Sequence, residues 1–429
     1  MKAVKFLFVV TFSLTFIGLN AQIDVKGKVK SQSNNRANTR TDQGIDRGLD
    51  AVESGVKNLF KKKNSTANQQ EGQVEEGTAE NENQEVQQTQ EVQQEVKPAS
   101  GTPSLQSYSK FDFIPGAKVI FFDDFGQDAV GDFPALWFSN GSGEVVTLNN
   151  YPGKWMQITA AGCYYPERDL QTTENFTVEF DLIPGSESFE VGFFLVAGDI
   201  KDPMEGGAIP GKAGVKTNLT GYTVYYSGYS DGAYTLDGSK DMILNGNEKM
   251  HLSYWVQKQR LRIYINETKV IDSPRLMPVG YKYNMLRFEM GGETKPYIGN
   301  FRVAAGLPDT RNKLITEGKL VTYGIYFDVN KDIIKPESFG TLKDIATVLN
   351  EVPDVKVQIV GHTDSDGDDP KNMDLSKRRA ASVKNELAKS FGVNADRLVT
   401  DGMGETKPVA PNDTPINKAL NRRVEFIKL

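Results

Sequence analysis

The chain has 429 residues, of which 25% are charged and 38% hydrophobic, and its 50 basic and 56 acidic side chains give a formal net charge of −6. This acidic balance disfavours nucleic acid and anionic lipid as partners. With one cysteine and two histidines, an internal disulfide is excluded and a histidine metal cluster is not expected.

The first 21 residues predict a cleavable export signal. Lys2 and Lys5 precede an apolar run from Phe6 to Ile17, and the small residue Ala21 follows at the expected cleavage position. A retained anchor is the alternative, although the run is shorter than the about 20 apolar residues that span a bilayer. Cleavage removes two lysines, so the mature chain would carry a charge of about −8.

Two segments without a large core are expected next. Residues 22–63 form a short N-terminal segment with one amphipathic helix, which either docks on a membrane or partner or is simply solvated on its polar face. Residues 64–105 are rich in Gln and Glu and lack aromatic residues, so they predict a disordered linker. The apolar residues of the helix recur at steps of four and three: Ile45, Leu49, Val52, Val56 and Leu59.

Residues 106–308 predict an all-β sandwich. Apolar and polar residues alternate from Phe176 to Leu182, so one face would contact a core and the other would contact solvent. The pairs Asp231-Gly232 and Asp237-Gly238 predict tight turns, and many short strands with frequent turns indicate a sandwich. A transmembrane barrel is the alternative, but these runs are mostly shorter than the about 9 to 11 residues that cross a bilayer.

The sequence from His251 to Trp255, followed by LRIYINETKVID, resembles the paired strands of laminin-G and concanavalin-like jelly rolls. This resemblance implies a lectin-like surface, and a spacer or protein-docking sandwich is the alternative. Glu267 departs from the pattern because those families usually have a turn glycine there. Glu179 and Asp181 share a strand face, but no third carboxylate follows, so a glycosidase centre is not expected.

Residues 309–429 predict an α+β domain with the order βαβαββ and helices on one face of the sheet. Pro336 is expected to open the first helix. The second helix carries one apolar face at four-residue steps, which includes Leu375 and Leu387. The predicted strands are Leu320 to Phe327, Val355 to Val360, Arg397 to Thr400 and Arg423 to Leu429.

Three short motifs in this last block closely resemble the OmpA-like peptidoglycan-binding domain of Gram-negative envelope proteins. They are Gly361-His362-Thr363-Asp364, then Asn372, Leu375, Ser376, Arg379 and Ala380 in one run, and the terminal Asn421-Arg422-Arg423-Val424. The resemblance implies that Asp364 binds the ammonium group of diaminopimelate and that Arg379 binds its carboxylate.

Other residues of the same motifs are weaker candidates for the ligand site. Thr363 and Asn372 either contact the ligand or set the loop. Arg423, with its neighbour Arg422, either contacts the ligand or forms an ion pair near a strand end, and His362 is expected to be structural. Asp374 or Ser376 is expected to cap the helix N-terminus.

The acidic loop after Asp364 departs from the family pattern. Asp366, Asp368 and Asp369 have the oxygen density of a calcium site, but the glycine falls too early for an EF-hand and the bidentate glutamate is missing. Calcium therefore stays an open alternative, and we expect no metal and no cofactor.

Together the patterns predict a multidomain, non-catalytic protein with a central jelly-roll-like sandwich and a C-terminal OmpA-like domain. We expect it in the periplasm or at the outer membrane, where the C-terminal domain would bind peptidoglycan and tether the wall to the outer membrane or an envelope partner. The sandwich would contact an outer-membrane protein or a glycan. A lectin-like adhesin retained on the wall is the alternative.

Overall fold

The computed structural model describes residues 111–429, except residues 167–168, 198–203, 205, 208 and 292. The predicted export signal (1–21), amphipathic segment (22–63) and linker (64–105) lie outside the described residues. The described residues form one compact unit.

The strands between Lys118 and Ala305 form two antiparallel sheets, and this part of the structure is called the sandwich below. One sheet has the order β13-β12-β11-β6-β15-β4-β3 with β1 paired to β15, and the other has the order β10-β9-β8-β7-β14-β5-β2. The described strands are β1 (Lys118–Asp123), β2 (Phe138–Ser139), β3 (Gly143–Thr147), β4 (Lys154–Ile158), β5 (Gly162–Tyr165), β6 (Asn175–Ile183), β7 (Glu190–Ala197), β8 (Ala213–Thr220), β9 (Thr223–Ser230), β10 (Ala233–Asp241), β11 (Met250–Gln257), β12 (Arg260–Ile265), β13 (Thr268–Ser273), β14 (Tyr283–Met290) and β15 (Tyr297–Ala305).

Aromatic side chains from both sheets meet in a single core. The ring of Phe180 on β6 lies 4.9 Å from Phe193 on β7 and 5.0 Å from Phe288 on β14. Tyr254 and Phe301 complete the same cluster. Because these rings come from facing sheets, the two sheets are layers of one β-sandwich.

The outer face of β6 is buried, and here the prediction of a solvent-exposed face was wrong. Thr177, Glu179 and Asp181 are all less than 5% exposed. The backbone N–H of Gly116 donates to the Thr177 hydroxyl at 3.0 Å, and Tyr326 of the C-terminal domain donates to Glu179 at 2.8 Å. Alternation in β6 therefore marks two buried faces, one apolar and one polar.

The predicted turns are correct at one position and wrong at another. Asp231 and Gly232 join β9 to β10 with φ values of 49° and 79°, as a two-residue hairpin turn requires. Asp237-Gly238 lies inside β10 instead. Gly238 is needed for close packing, because a Cβ atom there would lie 2.4 Å from the Tyr226 hydroxyl oxygen. In the turn beside Glu267, Asn266 supplies the left-handed backbone with φ of 52°.

The C-terminal domain is a four-stranded sheet with the order β16-β19-β17-β18, in which only β17 and β18 pair in parallel. None of its helices, and no other described helix, is long and apolar enough to cross a membrane. Its elements are β16 (Lys319–Thr322), α1 (Phe339–Glu351), β17 (Val357–His362), α2 (Asp369–Phe391), β18 (Leu398–Gly404), α3 (Pro415–Asn421) and β19 (Val424–Lys428).

The observed order differs from βαβαββ by the short helix α3. Its seven residues begin at Pro415 and are capped by Thr414, whose hydroxyl accepts from the Asn417 N–H at 3.2 Å. A helix of under two turns leaves too little periodicity to detect. The first strand also ends at Thr322 rather than at Phe327.

Helix α2 begins at Asp369, before the residues that were predicted to cap it. Asp368 is the N-cap residue, and its carboxylate accepts from the Lys371 N–H at 3.3 Å. Asp374 and Ser376 lie inside the helix, where the Ser376 hydroxyl donates to the Met373 carbonyl. The prediction that one of them caps the helix was wrong, because the helix begins earlier, at Asp369 in the acidic loop.

Candidate ligand-binding site

A cavity of about 490 Å³ lies between the C-terminal domain and the sandwich. Its first wall, the C-terminal wall, contains Asp364, Asn372 and Arg379. Its second wall, the sandwich wall, contains polar residues of β6, β11 and β15. Asp364 and Arg379, the two principal candidates, therefore line the same cavity.

Asp364 lies just beyond the end of β17 and is 7% exposed. One carboxylate oxygen accepts from the Asp366 N–H at 3.1 Å, and the other accepts from Arg422 Nη1 at 2.6 Å. Gly361 lets α2 pack closely on this strand, because a Cβ atom there would lie 2.3 Å from the Ser376 carbonyl oxygen. This close packing brings the strand end next to the helix.

Arg379 projects from α2 and is held by the chain that follows β16. Its Nε donates to the Lys331 carbonyl at 3.0 Å and its Nη2 to the Asp328 carbonyl at 3.3 Å. The guanidinium also lies over the Phe327 ring at 4.9 Å. Burial lowers the pKa of Arg379 to about 10, and the negative charge of Asp364 opposes this lowering.

The secondary candidates on this wall have different partners. The Asn372 amide donates to the Asp366 carbonyl at 3.1 Å and to Glu405 at 2.6 Å, so it fixes the loop. The buried hydroxyl of Thr363 has no hydrogen-bond partner among the described residues. Both residues line the cavity.

Arg422 and Arg423 have separate roles in the structure. Arg423 is buried and donates to Glu425 at 2.9 Å and to the Lys407 carbonyl at 3.0 Å. Arg422 binds Asp364 and also reaches the sandwich, where Nη2 lies 3.4 Å from Asp124. Sequence reasoning chose Arg423 as the site residue, and the partner of Asp364 in the structure is Arg422.

His362, which lines the cavity, forms a buried pair with Glu425. The His362 Nε2 atom lies 3.7 Å from a Glu425 oxygen. Burial alone would raise the pKa of Glu425, but the nearby His362 ring and the close contacts with Lys319 and Arg423 hold this pKa well below its usual range. These contacts agree with a structural role for His362.

The aspartates of the acidic loop contact other groups of the C-terminal domain or lie in α2. Asp366 accepts from Lys418 Nζ at 2.7 Å, Asp368 caps α2, and Asp369 lies in the first turn of α2. Within the part of the chain that the structure describes, no group of three or more acidic, His or Cys side chains has the arrangement of a metal site.

Sequence reasoning did not place the polar residues of the sandwich wall at the ligand site. His251 Nδ1 lies 2.8 Å from Asp181, and the Asn300 amide donates to the other Asp181 oxygen at 2.9 Å. Burial alone would lower the pKa of His251, but the hydrogen bond to Asp181 and the nearby Glu179 carboxylate raise it to about 10. The alternation in β6 was a usable indication of polar residues, but it did not show that the face is covered.

Residues 326–422 match the model of the OmpA family. Outer membrane porin F of Pseudomonas fluorescens is 44% identical over 105 residues, which is 24% of this chain and 32% of that protein. The probable lipoprotein YiaD of Escherichia coli is 44% identical over 102 residues, which is 24% of this chain and 46% of that protein. The chain therefore carries an OmpA family domain at its C-terminal end.

These matches cover a limited part of each relative. The chain spans from about a third to about half the length of the first curated relatives that it matches. Among solved structures, the peptidoglycan-associated lipoprotein of Burkholderia pseudomallei is 25% identical, with 28% of this chain and all of that chain covered and a TM-score of 0.24.

Proposed function

We propose that the C-terminal domain binds the diaminopimelate end of a peptidoglycan stem peptide and that the protein is a non-catalytic anchor in the cell envelope. The observation that supports this proposal best is the shared cavity of Asp364 and Arg379 inside the segment that matches the OmpA family. An amino acid head group has one positive and one negative end. On the C-terminal wall, the Asp364 carboxylate and the Arg379 guanidinium are the groups to receive them.

The affinity of a single domain is expected to be modest. Each charge-assisted hydrogen bond contributes about 1.5 to 3 kcal/mol, so a few of them give a Kd in the millimolar to micromolar range, with about 1.4 kcal/mol for each tenfold step. Arg422 already occupies one oxygen of Asp364, so the ligand ammonium shares this carboxylate or displaces Arg422. Firm retention on the wall then requires several bound copies.

The envelope location follows from the relatives and from the predicted export signal. The matched relatives include a lipoprotein and porins that are named as outer membrane proteins. We propose that this chain is exported to the periplasm and associates with the outer membrane. There the sandwich contacts an envelope partner.

Sedimentation with purified peptidoglycan sacculi tests this function. The mature chain should sediment, and the variants Asp364→Ala and Arg379→Ala should sediment at least about tenfold less at limiting sacculus concentration. Arg378→Ala is the matched control, because Arg378 is adjacent but pairs with Asp332 and Asp374 at the surface. If Asp364→Ala and Arg379→Ala sediment like the unmodified chain, this site is rejected.

A second function, glycan binding by a jelly-roll-like sandwich, is favoured by one observation. Tyr222, Tyr225 and Tyr234 are each more than half exposed, on or beside the edge strand β10 and its neighbour β9. Exposed aromatic side chains at a sheet edge are suited to binding. The Asp364→Ala variant of the mature chain should then retain binding on a glycan array. Loss of that binding in Tyr225→Ala would assign it to this edge.

A further inference from the structure

Arg302 and Glu179 form a cross-strand pair on the sandwich wall of the same cavity. They are register partners in β15 and β6, beside an irregularity between Gly299 and Arg302 where Asn300 has φ of 50°. Both side chains are more than nine-tenths buried, at 7% and 2% exposure. Irregularities of this kind turn side chains toward sites at the edge of a sheet.

Arg302 uses only one of its terminal nitrogens in the structure. Nη1 donates to the Tyr323 carbonyl and to the Tyr326 hydroxyl, both at 2.8 Å. Nε and Nη2 are buried and have no hydrogen-bond partner among the described residues. In Arg260 the equivalent pair of nitrogens binds both oxygens of Asp272, at 2.7 and 2.8 Å. The unpartnered edge of Arg302 thus has the geometry that grips a carboxylate.

Glu179 has the complementary feature. Its Oε2 accepts from the Tyr326 hydroxyl at 2.8 Å, and its Oε1 is buried without a partner among the described residues. Burial raises the pKa of Tyr326, so this hydroxyl stays protonated and continues to donate to Glu179. A buried charged atom without a partner is costly. The pair therefore favours a ligand that offers both an anionic oxygen and an N–H group.

We infer that the cavity holds more of the ligand than its terminal head group. In this arrangement Asp364 and Arg379 bind the terminal amino acid head, Arg302 binds a second carboxylate through Nε and Nη2, and Glu179 accepts an amide N–H. The ligand class is an acidic peptide with an internal carboxylate, such as the α-carboxylate of a γ-glutamyl residue. Nε and Nη2 are buried in the structure, so binding through them requires the guanidinium to turn toward the cavity as the ligand enters. This inference rests on the proposed function.

Calorimetric titration of the mature chain with three probes tests it. The probes are free diaminopimelate, γ-glutamyl-diaminopimelate, and the same dipeptide with its glutamyl α-carboxylate amidated. The free-acid dipeptide should bind about tenfold or more tightly than the amidated one. Arg302→Gln should abolish this preference, so that the free-acid and amidated dipeptides bind with equal affinity. Arg260→Gln, which alters an Arg fork already bound to Asp272, is the matched control and should keep the preference.

Each other outcome has a definite meaning. If the unmodified chain binds free diaminopimelate but does not distinguish the dipeptides, the second subsite is wrong and the proposed function stands. If Arg302→Gln weakens all three probes equally, Arg302 only docks the C-terminal domain and the inference is overturned. If no probe binds to the unmodified chain, the proposed function itself fails. Circular dichroism and urea unfolding of Arg302→Gln establish that the variant is folded.

Discussion

The two walls of the cavity are assembled over very different distances along the chain. On the C-terminal wall, Asn372 bonds to the carbonyl of Asp364 only 8 residues away. On the sandwich wall, Asn300 bonds to Asp181 across 119 residues. The first wall is a local motif on one strand and one helix. The second exists only when three strands, β6, β11 and β15, pair in the correct register, so its polar groups depend on the whole sandwich.

The largest expected effect tests whether the two walls unfold together. Phe180→Ala removes a fully buried ring from the shared aromatic core and should cost about 3 to 5 kcal/mol of unfolding free energy. Urea unfolding should be followed by tryptophan fluorescence, since Trp137, Trp155 and Trp255 all lie in the sandwich, and by far-UV circular dichroism at 222 nm, to which α1 and α2 contribute. Coincident shifts would indicate one cooperative unit.

The control for this comparison is Val279→Ala, at a side chain that is 63% exposed. It should change the unfolding free energy by no more than about 0.5 kcal/mol. If Phe180→Ala shifts the fluorescence transition alone, the sandwich wall forms independently of the C-terminal wall. The cavity would then be a contact between two separately stable domains.

The next effect concerns the contact between α1 and the first described segment. A Cβ atom at Gly340 would lie 1.9 Å from the Phe113 carbonyl oxygen, so Gly340→Ala forces the two backbones apart. We expect a net loss of about 1 to 3 kcal/mol, although alanine is favoured over glycine by about 1 kcal/mol in a helix. Thr347→Ala on the exposed side of α1 is the control, and it should be neutral or slightly stabilising. A stabilised Gly340→Ala would contradict the observed packing.

The difference in sequence separation between the two walls also explains which parts of the site could be predicted from the sequence. Asp364 and Arg379 were chosen as candidates because their motifs resemble those of OmpA-like domains, and the strand and helix that carry them have clear patterns close together in sequence. The outer face of β6 was misassigned because alternation reports polarity and does not show which segment covers the polar face. That face is buried by segments distant in sequence, with Gly116 against Thr177 and Tyr326 of the C-terminal domain against Glu179.

Arg422 shows a second limit of sequence reasoning. Two adjacent arginines follow α3 and both line the cavity, and the pattern does not tell which one binds Asp364. Arg422 binds it, and its position depends on α3, a helix too short to predict, and on Asp124 and Phe122 in the sandwich, which contact Arg422. A local motif therefore predicted the candidate site, and long-range packing determined its neighbours.

A smaller effect on the sandwich wall concerns the pH dependence of stability. The pKa of His251 is raised to about 10 in the folded state, above its ordinary value of about 6.5. Folding therefore favours the protonated ring. The resulting contribution to the free energy of unfolding is fully present below pH 6.5 and is lost as the pH rises to 10. The Tm should fall by a few degrees between pH 7 and pH 10. His251→Gln should show a flatter profile in differential scanning calorimetry.

Between pH 7 and pH 10 the effect of His251 on stability can be measured apart from that of Asp123. Burial raises the pKa of Asp123 to about 7, so its stabilising contribution is present below pH 3.8 and is already mostly lost at pH 7. His362→Gln is the control for the loss of a histidine on the opposite wall. An unchanged slope in His251→Gln between pH 7 and pH 10 would show that the Asp181 pair does not govern this dependence.

The smallest expected effect tests whether the sandwich wall tunes the C-terminal wall through Arg422. Asp124 and Asp364 both attract this guanidinium, with Asp124 at 3.4 Å and Asp364 at 2.6 Å. Removing the charge in Asp124→Asn leaves Asp364 as the stronger partner of Arg422 and also removes a negative charge from the cavity. Both changes oppose binding of a ligand ammonium at Asp364, so the affinity for diaminopimelate should fall by about twofold to fivefold.

Asp132→Asn makes the same charge change at an exposed sandwich position that does not line the cavity, and its affinity should equal that of the unmodified chain. Stability should change by no more than about 1 kcal/mol in Asp124→Asn, because the Arg422 pair is partly exposed. Tighter binding in Asp124→Asn would mean that Asp124 holds Arg422 across the site as a barrier. The sandwich wall would then oppose the ligand rather than help to bind it.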